Sequence, residues 1–227
     1  MIALLQVVLI VGYALLAHLA SARHHDGLAL AAMACLVAML LLPPLADRRW
    51  WAWLLLPPLA AGSWWLYRHG HGALPLLLAP PIFTGLIGWM FARSLRAGRT
   101  PLITRIVCGL DRVAPAQLDP AQASYTRGLT AAWAWLLAGL TAANLLLALI
   151  ARPDGLLASL GMDAPISITT TQWSWFANLL NYGILGGFFF IEFQLRKRRF
   201  PGQFASFPDF LRKLAGLGPA FWRDFLR

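Results

Sequence analysis

Arginines are the residues of this chain whose type and spacing most directly suggest chemistry. Arg93, Arg96, Arg99, Arg105, Arg112 and Arg127 all fall in one segment, 93–128. A guanidinium presents a planar fork of donors that matches phosphate and carboxylate oxygens. The same segment holds two signals for helix starts, Thr100-Pro101 and Asp119-Pro120-Ala121-Gln122. Helix starts carry free N–H groups and positive potential. Arg96, Arg99, Arg105 and Arg127 therefore make a candidate surface for an anionic lipid or an acidic protein. A plainer reading is that these charges set membrane topology and touch lipid headgroups, each contributing about 1 kcal/mol near an anionic leaflet. Nucleic acid is not expected, because the basic residues hug apolar stretches.

A second group is polar within an apolar stretch. Asn178, Asn181 and Tyr182 stand where buried polar groups need partners. Three-residue spacing puts the two asparagines on one helical face, and Asn144 is a candidate partner. Glu192, the only glutamate in the chain, lies about one turn before Arg196-Lys197-Arg198-Arg199. It reads either as an ion-paired structural residue or as a working acid facing Arg96 or Arg99.

Other constellations are thin. The histidines are His18, His24, His25, His69 and His71, and His69-Gly70-His71 has the spacing of a ligand pair. Only Asp26 accompanies them, so no metal is expected. Cys108 has no histidine neighbour and Cys35 sits in an apolar stretch, so neither reads as an activated nucleophile. Glycine-rich phosphate loops and HExxH patterns are absent. No cofactor is expected, and whether the chain catalyses a reaction stays open.

The elements that must position these residues follow from composition. Of 227 residues, 59% are apolar and 12% charged, and mean hydropathy is +0.63. That is roughly half the usual charged share, too little to cover a soluble domain, and the high hydrophobicity excludes disorder. A bilayer core about 30 Å thick needs roughly 20 apolar residues per helix. Six stretches qualify: 2–20, 28–45, 50–67, 73–92, 129–150 and 172–194. The expected fold is an all-α, polytopic membrane bundle of six transmembrane helices. Sixteen Lys and Arg fall in the segments on one side and three, Arg23, Arg68 and Arg152, on the other. The positive-inside rule then places both termini in the cytoplasm. Trp50, Trp51, Trp53, Trp89, Trp133 and Trp135 fall near inner ends and Trp64, Trp65, Trp173 and Trp175 near outer ends, as interfacial belts do. Ala20-Ser21-Ala22 has the look of a signal-peptidase site, but the run before it is long and lacks Lys and Arg. The first span is expected to be retained.

Pro43-Pro44 is expected to close a helix, while Pro57-Pro58 and Pro80-Pro81 lie inside spans and kink them. Such kinks imply a cavity between the third and fourth spans, or simply bent helices packed on their neighbours. After Thr100 as cap and Pro101 as first helical residue, Leu102, Ile103, Ile106, Val107 and Leu110 repeat at helical spacing. That describes a short interfacial helix, apolar face toward the membrane. Asp119 and Gln122 form a capping box, so the fifth helix should start near Pro120. Residues 1–200 then form one transmembrane domain. Residues 201–227 form an amphipathic cytoplasmic tail that alternates Phe210, Leu211, Leu214, Phe221, Trp222 and Phe225 with basic residues.

Two segments together resemble a known family. They are Phe91-Ala-Arg-Ser-Leu-Arg-Ala-Gly-Arg-Thr-Pro-Leu-Ile-Thr-Arg105 with Tyr125-Thr-Arg127 and Trp133-Ala-Trp135, and Trp173-Ser-Trp-Phe-Ala-Asn178-Leu-Leu-Asn181-Tyr182 with Phe190-Ile-Glu192-Phe and Arg198-Arg-Phe-Pro201. The likeness is to bacterial inner-membrane proteins of aryl-polyene and xanthomonadin-type pigment clusters, and it covers roughly residues 83–201. It implies an inner-membrane location and a role beside acyl-carrier-bound or lipid-linked intermediates of fatty-acid-like chemistry. Members are often labelled ketosynthase, which would need a nucleophilic cysteine with two histidines. No such set can be assembled here on the cytoplasmic side. The expected function is a membrane component that binds an anionic lipid, or an intermediate on an acidic acyl carrier protein, at Arg96, Arg99, Arg105 and Arg127. Two alternatives remain. A membrane-bound acyl or glycosyl transferase would use Glu192, Tyr125 or Asp111, and a lipid or polyene transporter or flippase would use the kinked spans and the Asn178/Asn181 face.

Overall fold

The computed structural model describes residues 2–23, 25–72, 74–200, 207–218 and 221. Of the residues singled out above, His24, Trp222 and Phe225 and the side chains of His18, Arg23, Asn178, Leu211 and Leu214 lie outside the described set. Helices dominate: α1 (Ile2–Arg23), α2 (Asp26–Ala46), α3 (Trp50–Arg68), α4 (Leu74–Ser94), α5 (Leu102–Asp111), α6 (Pro120–Ile150), α7 (Leu156–Ser159), α8 (Thr170–Trp175), α9 (Asn181–Arg199) and α10 (Phe207–Ala215). A short 3-10 turn, Pro115–Gln117, precedes α6, and a π-turn, Phe176–Leu180, joins α8 to α9. The one departure from all-α among the described residues is a two-residue parallel pair. Here β1 (Ala151–Arg152) runs beside β2 (Ile168–Thr169), with Ala151 opposite Ile168.

Three described helices, α2, α4 and α6, are long and apolar enough to cross a membrane. Two of the other stretches fall short for visible reasons. Pro57, Pro58 and five tryptophans dilute the apolar character of α3. The last stretch is split by the π-turn, and α9 ends in Arg196, Lys197, Arg198 and Arg199. Pro43 and Pro44 do not close their helix as expected. They sit in the last turn of α2, which runs on to Ala46. A proline there still has its carbonyl free to accept, and the Asp47 and Arg49 N–H groups donate to Pro43 and Pro44.

The chain divides into two compact units, 1–82 with 143–179, and 83–142 with 180–227. In the first, α1 and α2 form an antiparallel hairpin. Gln6 Nε2 donates to the Met39 carbonyl (3.5 Å), Gly12 faces Cys35, and Ala20, Ala29, Ala32 and Leu76 share a core. Small residues at the contact let apolar helices approach without a hydrophobic drive between them. A cavity of about 350 Å3 lies between α2 and α3, lined by Met33, Val37, Leu56, Ala60 and Trp64 among others. A second core joins Leu77, Ala148, Ala151, Trp173 and Ala177. Thr169 and Gln172 cap α8 reciprocally, while Thr170 Oγ1 donates to the Arg152 carbonyl at 3.0 Å. Asn144 is fully buried in this unit.

In the second unit α4 and α6 meet through Gly85 and Gly88. A Cβ on Gly88 would stand 3.1 Å from Leu137 Cβ, and the Thr84 and Thr141 hydroxyls are 2.9 Å apart. The amphipathic α5 is present, and much of its apolar face packs against protein. Ile103, Val107 and Cys108 are buried with Leu118, packed by Phe91, Leu129 and Trp133. The Thr104 and Thr126 hydroxyls, 2.8 Å apart, bind the same face to α6. Protein from this unit covers Leu102, Ile103 and Val107 of that face, while Ile106 and Leu110 stay half-buried.

Candidate functional site

The segment between α4 and α5 is pinned at both ends. Ser94 Oγ donates to the Phe91 carbonyl (2.7 Å) and accepts from the Leu102 N–H (3.1 Å). Thr130 Oγ1 donates to the Thr126 carbonyl (2.7 Å) and accepts from the Ile103 N–H (3.2 Å). The expected cap therefore moves. Pro101, extended at φ −55° and ψ 146°, is the cap position, and α5 begins at Leu102. The free N–H groups that every helix start leaves are met by side chains of α4 and α6 rather than by Thr100. Gly98, at φ +78°, turns the chain where an L side chain would be strained.

This geometry sorts the four expected arginines. Arg96 and Arg99 are exposed on the pinned turn. Arg127 Nη2 donates to the Leu95 carbonyl at 2.9 Å, so that side chain holds the turn in place while remaining exposed. Arg105 is half-buried on α5. Beside them the Arg93 guanidinium lies 4.8 Å over the Trp89 ring, and Arg112, exposed, ends α5 in the left-handed conformation. Asp119 caps α6 as expected, accepting from the Gln122 N–H (3.2 Å), but the Gln122 side chain donates to Asp111 (3.5 Å) instead of closing the box.

Glu192 faces neither Arg96 nor Arg99. It is buried against Arg196, one turn on along α9, whose Nε donates to Glu192 Oε1 at 2.7 Å. Arg196 is itself buried, unlike Lys197, Arg198 and Arg199. Sequence reasoning grouped these four as one basic run and missed the odd member. The i,i+4 spacing from the only glutamate was the signal that could have found it. Around the pair, Arg199 lies 5.7 Å over the Tyr125 ring and Arg196 5.5 Å over that of Phe210. Tyr125 packs edge-on to Phe200 at 5.4 Å, and Phe189, Phe193, Phe207 and Phe210 form a continuous aromatic group.

The remaining candidates separate. Asn181 is buried and Tyr182 is exposed. Residues 176–180 form a wider π-turn, and the Asn178 side chain lies outside the described set. The His69 Nδ1–H donates to the Trp65 carbonyl (2.8 Å) and its ring stacks on Trp65 at 4.4 Å, so it serves the end of α3. Among the described residues no three His, Cys, Asp or Glu gather as a metal site. Cys108 is buried; burial first, and the Asp111 carboxylate second, push its thiol above the usual cysteine range. No family model matches the chain, and no curated protein or solved structure matches it.

Proposed function

We propose that the chain is a polytopic component of a bacterial inner membrane, with six spanning helices and both termini cytoplasmic. In this reading it receives an anionic acyl intermediate of a polyene or fatty-acid-like pathway, presented as an anionic lipid or on an acidic acyl carrier protein. The receiving surface is the turn bearing Arg96 and Arg99, with Arg127 holding it and Arg105 beside it on α5. One observation carries this. A short exposed turn has its neighbours tied down by Ser94, Thr130 and Arg127, and the two guanidinium groups it presents are exposed. Preorganisation of this kind lowers the ordering cost of binding, and opposite charge steers an acidic partner to it. Glu192, which a transferase would use as acid or base, is engaged with Arg196.

Replacing Arg96 and Arg99 together by alanine tests the reading. At about 1 kcal/mol per arginine, binding to anionic vesicles or to an acidic acyl carrier protein should weaken roughly thirty-fold. Raising salt should weaken the parent in the same direction. Unchanged binding of both partners, with membrane insertion intact, would overturn it.

A further inference from the structure

A second group of cationic side chains, Arg196 buried and Arg199 exposed, lies in the same unit. Arg196 is about 5% exposed, and its Nη1 has no hydrogen-bond partner among the described residues. Native proteins rarely leave a charged donor so deeply buried and unmet, and such positions are commonly filled by water or an ion. Tyr125 is hydrogen-bonded to the Arg196 side chain and lies within electrostatic reach of Glu192 and Arg199. Arg196 is paired with Glu192, so the three charged groups sum to one net positive charge, carried by the exposed Arg199. Beside them runs an apolar wall of Phe189, Phe193, Phe207 and Phe210, with Phe193 and Phe207 ring centroids 5.1 Å apart. Half of that wall belongs to α10. The turn after α10 also rests on α5, where a Cβ added to Gly109 would meet the Phe221 ring at 2.6 Å and Leu217 at 3.3 Å.

We propose that Arg196, Arg199 and Tyr125 form a site for a phosphate group carried on an apolar tail, the tail lying along Phe189 and Phe193, with α10 as the strap over it. The phosphate would take the unmet Nη1 donor and balance the residual charge, and the aromatic wall explains why a lipid-like carrier suits it better than free phosphate. This site is separate from the Arg96/Arg99 turn and stands without it.

The test uses full-length protein in neutral detergent and follows thermal unfolding with added phosphatidic acid, inorganic phosphate or phosphatidylcholine. Ligand that binds the folded state alone raises the midpoint with concentration. Phosphatidic acid should raise it saturably and phosphatidylcholine should not. Two variants should lose at least tenfold in apparent affinity: Arg199→Gln, which alters an exposed side chain, and the double replacement Glu192→Leu with Arg196→Met, which removes both buried charges together. Gly109→Leu should weaken binding by lifting the strap. Arg96→Ala with Arg99→Ala should leave the shift in place, so failure of the exposed surface and of this site are distinguishable. An equal response to inorganic phosphate would overturn the tail, and a shift unchanged in both Arg199→Gln and the double variant would overturn the site.

Discussion

Glu192 and Arg196 are the residues whose environment is most demanding, because a buried ion pair repays its desolvation only while both members are present. Removing one leaves an isolated buried charge, so Glu192→Ala should destabilise the protein by about 3–5 kcal/mol. The double replacement by leucine and methionine should fall close to the parent. Thermal or denaturant unfolding in detergent reads the difference, and equal losses in single and double variants would show that the pair is not coupled. Cys108 offers a second check at this scale. Its thiol is raised by burial and then by Asp111, so less thiolate is present at a given pH than on an ordinary cysteine, and thiolate is the reactive form. Alkylation of the native protein should therefore begin at higher pH than that of a free cysteine peptide. Asp111→Asn should move the profile toward lower pH. An unshifted native profile would contradict the burial argument.

At the scale of the element, the start of α5 depends on hydroxyls from its neighbours. Thr130→Val keeps shape but leaves the Ile103 N–H without its acceptor, which should cost about 1–2 kcal/mol. Thr130→Ser should retain most of the stability, and equal stability of the two variants would show that the hydroxyl contributes nothing. The same element shows what sequence can and cannot convey. Periodicity from Leu102 to Leu110 predicts the helix, and Asp119-Pro120 predicts where α6 begins, because both are local signals. What covers the apolar face of α5, and what caps its first N–H groups, depends on Thr126 and Thr130, which lie more than 20 residues further along. Local pattern carries no record of such pairings. The π-turn at 176–180 and the β1–β2 pair escaped for the same reason, since neither has a distinctive spacing. Among the candidate arginines, Arg96 and Arg127 look alike in the sequence until Arg127 is seen holding the Leu95 carbonyl.

For the whole molecule, the large exposed apolar residues argue for a lipid environment. Trp50 and Trp135 are 75% and 80% exposed, and Leu146, Ile191 and Tyr182 face outward as well. Soluble proteins seldom expose so many large apolar side chains, and α2, α4 and α6 have the length and composition to span. The proposed sidedness follows from placing guanidinium groups where they need not cross oil. Ala97 lies exposed on the turn between Arg96 and Arg99, which makes it the most direct reporter. With Cys35 and Cys108 replaced by alanine, Ala97→Cys should be labelled by a membrane-impermeant maleimide only after the inner membrane of spheroplasts is opened. Labelling of intact spheroplasts from outside would put the arginine turn on the wrong face and contradict the account.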